Sequence, residues 1–333
     1  MPGEQPGGPR TGPAPATRPG TRTRSAPGIR PGPRTGPDPR LTVVVITRNR
    51  REELLRTLGL LAALPERPPV IVVDNGSDDG TAAAVRRAHP QMRLIAARRN
   101  LGAVGRNLAV RRVSTPYVAF CDDDTWWEPG SLALAADALD QHPDLASVTA
   151  RIVVEPAGTD DPIVPELAQS PVPARPGLPG PALISILAGA SVLRCDAFRE
   201  VGGFSPRLWL GGEEELLAAD LAARGYVLCY LPGATVHHQA STLRDPTRRR
   251  WLGIRNTLWF TWLRRPPAAA LRRTAELAAS VPRDRVSASA FCAAAGGLPW
   301  VLRERRPLPP SVDASIRLLD EPRRRSAARR YVG

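Results

Sequence analysis

The chain has 333 residues, room for one sizeable α/β domain plus further segments. Its net charge is +14, and all 46 basic residues are Arg. That charge sits at the ends: residues 1–40 carry 7 Arg against Glu4 and Asp38, residues 244–333 carry 20 Arg against 7 acids, and residues 41–243 carry 19 Arg against 23 acids. A nucleic-acid reader places its basic patch on the folded module, so an acidic centre with basic ends argues against nucleic acid as partner and for a membrane surface or an acidic partner.

Residues 1–40 are built from Pro, Gly, Arg and Thr and are expected to be disordered, because they bury too little apolar surface to offset the entropy of ordering. Order is expected from Leu41. The run Leu41–Ile46 is continuous, apolar and β-branched, as a buried parallel strand requires. Glu52–Ala63 places Leu54, Leu55, Leu58 and Leu61 on one helical face. Strands are expected at Val70–Val73, Arg93–Ala96 and Tyr117–Cys121, with helices at Thr81–Ala88 and Ala103–Arg112 between them. This alternation predicts a mostly parallel sheet sandwiched by helices.

Each of these strands is followed by polar residues. Thr47-Arg48-Asn49 follows the first, Asp74-Asn75-Gly76-Ser77 the second, Asn100-Leu101-Gly102 lies beyond the third, and Asp122-Asp123-Asp124 follows the fourth. Any one cluster could be a turn or a helix cap. Four at the carboxyl ends of successive parallel strands mark the edge where open α/β sheets bind ligands. The Pro-rich stretch Glu155–Pro181 reads as a long loop of the kind that shapes a second substrate's site. Order resumes at Ala182–Leu193, then a helix at Glu214–Ala223 and a strand at Tyr226–Leu231 leading to Val236-His237-His238.

Three constellations carry chemistry. Asp122-Asp123-Asp124 brings three carboxylates to one point, where they repel unless a cation is present; hard oxygen ligands suit Mg²⁺ or Mn²⁺ shared with substrate phosphates. The alternative is an acidic helix cap. Gly211-Gly212-Glu213-Glu214-Glu215 opens a helix, where the macrodipole alone favours acids, but a carboxylate here could also be a general base. His237-His238 ends a strand; neutral imidazole can bind a divalent ion, and adjacent strand residues point to opposite sides, so at most one of the two faces the metal. The four cysteines form no CxxC pair, which removes a zinc ribbon or a thioredoxin-like motif.

The blocks VVVITRNR, IVVDNGSDDGT, RNLGAVGRNLAV, PYVAFCDDDTWWEPG, GASVLRCDAFREVGGF, LGGEEELLAADLAARGY and LPGATVHH occur in this order over roughly residues 41–240. Together they resemble family 2 glycosyltransferases of the GT-A fold. The resemblance implies an inverting enzyme that moves a sugar from a nucleotide-diphosphate donor to an acceptor hydroxyl, with Mn²⁺ or Mg²⁺ as cofactor. It puts nucleotide recognition on Asp74, with Thr47, Asn49, Asn75, Ser77, Asn100, Gly102, Arg106, Asn107 and Asp123 around the donor. It puts Asp122 on ribose and Asp124 on the metal, with His237 or His238 nearby. Glu214 would be the base, standing where the family usually has Asp, with Glu213 as its rival. The acceptor could be a polysaccharide, a lipid-linked glycan or a small metabolite.

Two other readings share parts of this pattern. A nucleotidyltransferase-like enzyme has similar acidic metal sites but usually a Gly-rich phosphate loop, and Thr47–Arg51 has no glycine. A non-catalytic nucleotide-sugar-binding protein would be favoured by loss of either acidic motif, and both are present.

Beyond the catalytic domain, expected to end near Leu243, residues 244–333 read as a basic helical extension. Arg248–Arg265 carries Trp251, Ile254, Leu258 and Trp262 on one face, flanked by Arg. That face suits either a membrane interface or packing onto the catalytic domain. With no stretch of roughly 18 apolar residues and no apolar leader, the expected location is cytoplasmic, at most peripheral at the inner face of the membrane.

Overall fold

The computed structural model describes Gly3, residues 36–239 and residues 245–320. Most of the expected disordered tail and the expected boundary near Leu243 lie outside the described residues. Residues 36–40 depart from expectation: Asp38 is buried, and Arg40 reaches Asp38, Asp137 and Asp140 at 2.5–2.8 Å. Ion pairs to the body of the domain thus extend the ordered part upstream of Leu41.

The first half alternates as the sequence predicts. Strand β1 is Leu41–Thr47, helix α1 Arg51–Ala62, β2 Val70–Asp74, α2 Thr81–Ala88 and β3 Arg93–Ala96. A 3-10 turn over Gly102–Val104 then leads into α3, Gly105–Val110, so the helix expected from Ala103 to Arg112 is split and shorter. Strand β4 is Tyr117–Asp122 and a short β5, Thr125–Trp127, comes directly after it, so the triple-Asp segment is a turn between strands and not the cap of a helix. Helix α4 is Ser131–Gln141 and β6 is Leu145–Val154. The Pro-rich stretch holds β7, Thr159–Asp160, and α5, Val164–Ala168. Next come β8, Ala182–Leu183, a 3-10 turn at Ala188–Ala190, β9, Ser191–Arg194, α6, Cys195–Glu200, α7, Glu213–Ala223, and the long β10, Val227–His238.

The strands make one sheet in the order β3-β2-β1-β4-β9-β6-β10-β5, with β7 on β6 and β8 on β10. The β3-β2-β1-β4 half is parallel throughout. Beyond it the sheet is mixed, because β9 runs antiparallel between β4 and β6 and β5 antiparallel to β10, while β10 runs parallel to β6. Val43–Val45 and Val72–Val73 are fully buried, as strands covered on both faces must be, and α1 covers one face with Leu54, Leu58 and Leu61. Each such side chain contributes about 1.5–3 kcal/mol on burial. Cys121, Cys195 and Cys229 lie in this core, where burial pushes each thiol up to about 12, whereas Cys292 is exposed.

The C-terminal segment is a bundle: α8 Pro246–Arg264, α9 Pro267–Ser280, α10 Arg285–Gly296, α11 Leu298–Arg303 and α12 Pro310–Leu318. Its core joins Ile254, Leu258 and Trp259 to Leu208, Leu216 and Ala219 of the catalytic domain. The Trp-rich helix packs on the catalytic domain through Ile254 and Leu258, while its indoles bond within the bundle. The indole N–H groups of Trp251, Trp259 and Trp262 donate to Ser289 Oγ, the Ala294 carbonyl and Thr274 Oγ1 at 2.7, 3.0 and 3.1 Å. Several arginines are likewise structural: Arg264 pairs with Asp220 of α7, and the buried Arg265 with the buried Asp313 at 2.5 Å. Among the described residues no helix is long and apolar enough to cross a membrane.

Candidate active site

Register builds the site. Thr47 pairs with Asp74 and Ile46 with Asp122, so the polar ends of β1, β2 and β4 fall in one row at the carboxyl edge of the sheet. His238 pairs with Thr125 on β5, which sets it beside Asp124. Because β9 runs antiparallel to β4, the turn before it comes back alongside Asp122: a Cβ on Gly189 would lie 2.8 Å from Asp122 Oδ2. The Ala188 N–H donates to Glu214 Oε1 at 2.6 Å. One three-residue turn therefore brings Asp122 and Glu214, 92 positions apart in the chain, to the same place.

The three aspartates do different things. Asp122 is half exposed and its Oδ1 accepts from the guanidinium of Arg106, which is buried between the rings of Phe120 and Phe204 at 5.7 Å from each. Asp123 points under the edge. It accepts from Thr47 Oγ1 and Arg50, both at 2.9 Å, and burial with its acidic neighbours pushes its carboxyl up to about 7 despite Arg50. Its contacts, and those of Thr47, tie β1 to the turn. Asp124 is buried, with Arg50 3.2 Å from Oδ2 and His238 Nε2 3.9 Å from Oδ1.

The two histidines diverge as strand alternation requires. His237 stacks on Trp126, ring planes 9° apart, and its Nδ1 lies 2.8 Å from Glu155 Oε1. Only His238 faces Asp124. Among the described residues no three His, Cys, Asp or Glu side chains gather as a metal cage. Asp124 with His238 is instead a two-sided rim that would leave a cation's remaining positions to substrate oxygens and water, the arrangement suited to an ion shared with a diphosphate. Were His238 to ligate such an ion, its imidazole nitrogen would favour Mn²⁺ over Mg²⁺, which keeps to oxygen.

On the other side of the row, Asp74 and Asn75 are buried. Asp74 Oδ1 accepts from the Ser77 N–H at 2.9 Å. Asn49 accepts from the Asp78 N–H at 3.0 Å, and its own N–H donates to Ser77 Oγ at 2.9 Å, so the two loops brace one another. Asn75 Nδ2 donates to the Gly102 carbonyl at 3.1 Å, while its Oδ1 is buried with no partner among the described residues. Asn100 Oδ1 caps the turn through the Gly102 N–H at 2.9 Å. Gly102 has to be glycine: its φ is +60° and a Cβ would lie 2.3 Å from the Trp209 carbonyl oxygen. Asn107 is engaged by the backbone of Phe204. Its Nδ2 donates to the Phe204 carbonyl at 2.8 Å and its Oδ1 accepts the Phe204 N–H at 3.0 Å, so both polar ends hold the loop before α7.

Glu213 and Glu214 open α7. Burial raises both carboxyls; that of Glu214 is pushed up to about 8 by burial and then by the charge of Glu213, with the Ala188 N–H opposing. Glu213 is the more deeply buried and its Oε2 has no partner among the described residues.

Sequence reasoning missed Arg50 as the cation of the acidic turn, Glu155 as partner of His237, and the Ala188 N–H as the hook for Glu214. Arg50 stands at the end of the VVVITRNR block and could have been suspected from three uncompensated acids. The other two depend on how β9 and β10 return through the sheet, which no local pattern reveals.

A profile described as "Glycosyl transferase family 2" matches residues 42–202. The chain is 30% identical over 277 residues to the N-acetylglucosaminyl-diphospho-decaprenol L-rhamnosyltransferase of Mycobacterium tuberculosis, covering 70% of this chain and 89% of that relative. It is 33% identical over 228 residues to the pre-mycofactocin glycosyltransferase of the same organism, covering 65% of this chain and 46% of that protein. Its fold is similar to that of the mannosyltransferase PcManGT from Pyrobaculum calidifontis, solved in complex with GDP-Man and Mn²⁺, at a TM-score of 0.54 and 21% identity over 88% of this chain and 92% of that one. The row of polar strand ends, the acidic turn and these similarities agree: the chain belongs to glycosyl transferase family 2 and is a glycosyltransferase that uses a nucleotide-sugar donor.

Proposed function

We propose that the enzyme transfers its sugar by a single displacement with inversion, and that its acceptor is a lipid-linked glycan. The observation that carries the mechanism is the Ala188–Ala190 turn, which sets a carboxylate of raised basicity, Glu214, beside the acidic turn where the donor's diphosphate would lie. In this reading Asp74 and Asn75 take the nucleobase side. Asp122 meets the ribose. Asp124 and His238 hold Mn²⁺ or Mg²⁺, which when bound would offset the charge of the departing diphosphate. Glu214 removes the acceptor's proton as its oxygen attacks the anomeric carbon on the face opposite the leaving group. Glu214 rather than Glu213 is the base, because its carboxylate is oriented by a backbone donor of the turn that also lies against Asp122.

The acceptor assignment rests on the name of the rhamnosyltransferase relative, which acts on a diphospho-decaprenol-linked sugar. A membrane surface as workplace is supported by Leu271, Leu302 and Leu318, all exposed on the Arg-rich bundle. The deciding experiment offers dTDP-rhamnose, UDP-glucose and GDP-mannose with Mn²⁺ to the enzyme, and polyprenyl-diphospho-N-acetylglucosamine in anionic vesicles. A product of inverted anomeric configuration, seen by NMR, is the expected result. Retention would sink the displacement mechanism, and transfer only to a water-soluble acceptor would sink the lipid-linked one.

The histidines supply a second test. His238→Ala should weaken the Mn²⁺-dependent part of nucleotide-diphosphate binding by at least about tenfold in calorimetry, and His237→Ala should leave that part nearly unchanged.

A further inference from the structure

We infer that Asn256, in the C-terminal bundle, is a positioning residue for the catalytic glutamate; this rests on the reading of Glu214 as base. Asn256 lies mid-way along α8 and is fully buried. Its Nδ2 faces three backbone carbonyls of one loop: Leu208 at 2.8 Å, Leu210 at 2.9 Å and Gly211 at 2.5 Å. Its Oδ1 accepts from Arg255 Nε at 2.9 Å. The orientation of the amide is set by these neighbours, since three acceptors on one side demand the nitrogen there and a guanidinium on the other demands the oxygen. Arg255 is itself held, its guanidinium 4.8 Å from the ring of Trp251 and 4.2 Å from that of Trp259.

The loop so gripped is the one that delivers the base. Glu213 comes directly after Gly212, and Glu214 is next. The backbone leading to them holds one strained residue, Trp209 at φ 63°, while Gly211 and Gly212, at 83° and 80°, take conformations that glycine adopts freely. A non-glycine residue persists there only where the surroundings over-determine it. A Cβ on Gly212 would lie 3.3 Å from Asn256 Cβ, so helix and loop are in close contact here. From the opposite side the Trp209 carbonyl accepts the Ala103 N–H at 2.9 Å, and Trp209 Nε1 donates to the Asn100 carbonyl at 3.3 Å. Residues 208–212 are therefore strung between α8 and the Asn100–Ala103 turn. The bundle fixes one end of the segment that sets where Glu214 sits relative to the donor, and a small shift of that end, with the other still pinned on the Asn100–Ala103 turn, would misplace the base.

The test uses the full chain with Mn²⁺ and measures release of nucleoside diphosphate from dTDP-rhamnose, UDP-glucose or GDP-mannose, whichever turns over. Asn256→Asp keeps the shape and removes both donors; Asn256→Ser keeps one donor and adds no buried charge. Positioning predicts that Asn256→Asp lowers kcat about 10²-fold with donor KM nearly unchanged, with Asn256→Ser between it and wild type. It also predicts faster amide exchange confined to residues 208–215, with residues 117–124 unaffected. Should Asn256→Asp fail to fold, Asn256→Ser decides alone. Wild-type kcat in Asn256→Ser, or exchange accelerated across the whole domain with kcat and KM failing together, would overturn the role. If Glu214→Gln turns over like wild type, the base assignment falls and the inference with it. If Glu214→Gln is inactive and Asn256→Ser indifferent, only the inference falls.

Discussion

Glu214→Gln should lower kcat about 10²–10⁴-fold while donor and metal still bind, because the substitution removes a proton acceptor and little else. The Gln Oε1 can still accept the Ala188 N–H, so the opening of α7 keeps its anchor. Glu213→Gln should cost less, since that carboxylate lacks the Ala188 N–H that holds Glu214. The pH dependence gives the same assignment a second check. A base works only when ionised, so kcat/KM should rise with pH and level off above about 8, the value to which burial and Glu213 push the group. In Glu214→Gln the residual rate should lose that limb. For stability the effect is opposite in sign. The folded state holds this proton more tightly than the unfolded chain, so the group costs nothing below the ordinary carboxylate range and progressively destabilises as pH rises towards about 8. Glu214→Gln should therefore unfold at a higher temperature than wild type at pH 9, by about 2–4 °C for each kcal/mol relieved, and close to the wild-type temperature at pH 4. An active enzyme destabilised by its own base, and stabilised by losing it, is the expected trade-off at a catalytic carboxylate.

Asp124→Ala should abolish the Mn²⁺ dependence of nucleotide-diphosphate binding. A cation at a diphosphate supplies several kcal/mol, so the loss in affinity at saturating Mn²⁺ should be on the order of 10²–10³-fold. Titration of UDP, dTDP and GDP with and without Mn²⁺ measures it. The fold should survive, because Arg50 keeps Asp123 and the Asp124 carbonyl still accepts the Gln239 N–H. Asp123→Asn is the informative contrast: it weakens a partly buried ion pair with Arg50 and should show mainly as lost stability, about 1–3 kcal/mol. Equal metal dependence in wild type and Asp124→Ala would move the cation elsewhere.

Much of the donor half was legible because parallel strands covered on both faces leave continuous β-branched runs, and the polar residues after each run must lie at one edge. Leu41–Ile46, Val70–Val73 and Tyr117–Cys121 stood out in this way, and the register turned three separate motifs into one row. The second half was less legible. Strand β9 has four residues and runs antiparallel between two longer strands; its place is set by pairing across 75 positions, Leu193 with Val118, which leaves no periodic trace. Helix α8 was ambiguous for a different reason. Apolar and aromatic residues flanked by Arg suit a lipid surface and a protein interior equally, and only the partners of its indoles and guanidiniums separate the two. The residue that could have decided it was Asn256, a carboxamide within an apolar helix face. A lipid-facing helix would place it badly, whereas a buried one must have acceptors waiting.

The cysteines have a practical corollary. Three thiols are buried and held almost wholly protonated, and the fourth, Cys292, lies exposed on α10. A maleimide dye or spin label therefore has a single address on the native protein, and it falls on the bundle that cradles the loop before Glu213. The wild-type chain already carries one reporter site from which the separation between bundle and bound donor can be read, with no engineered cysteine.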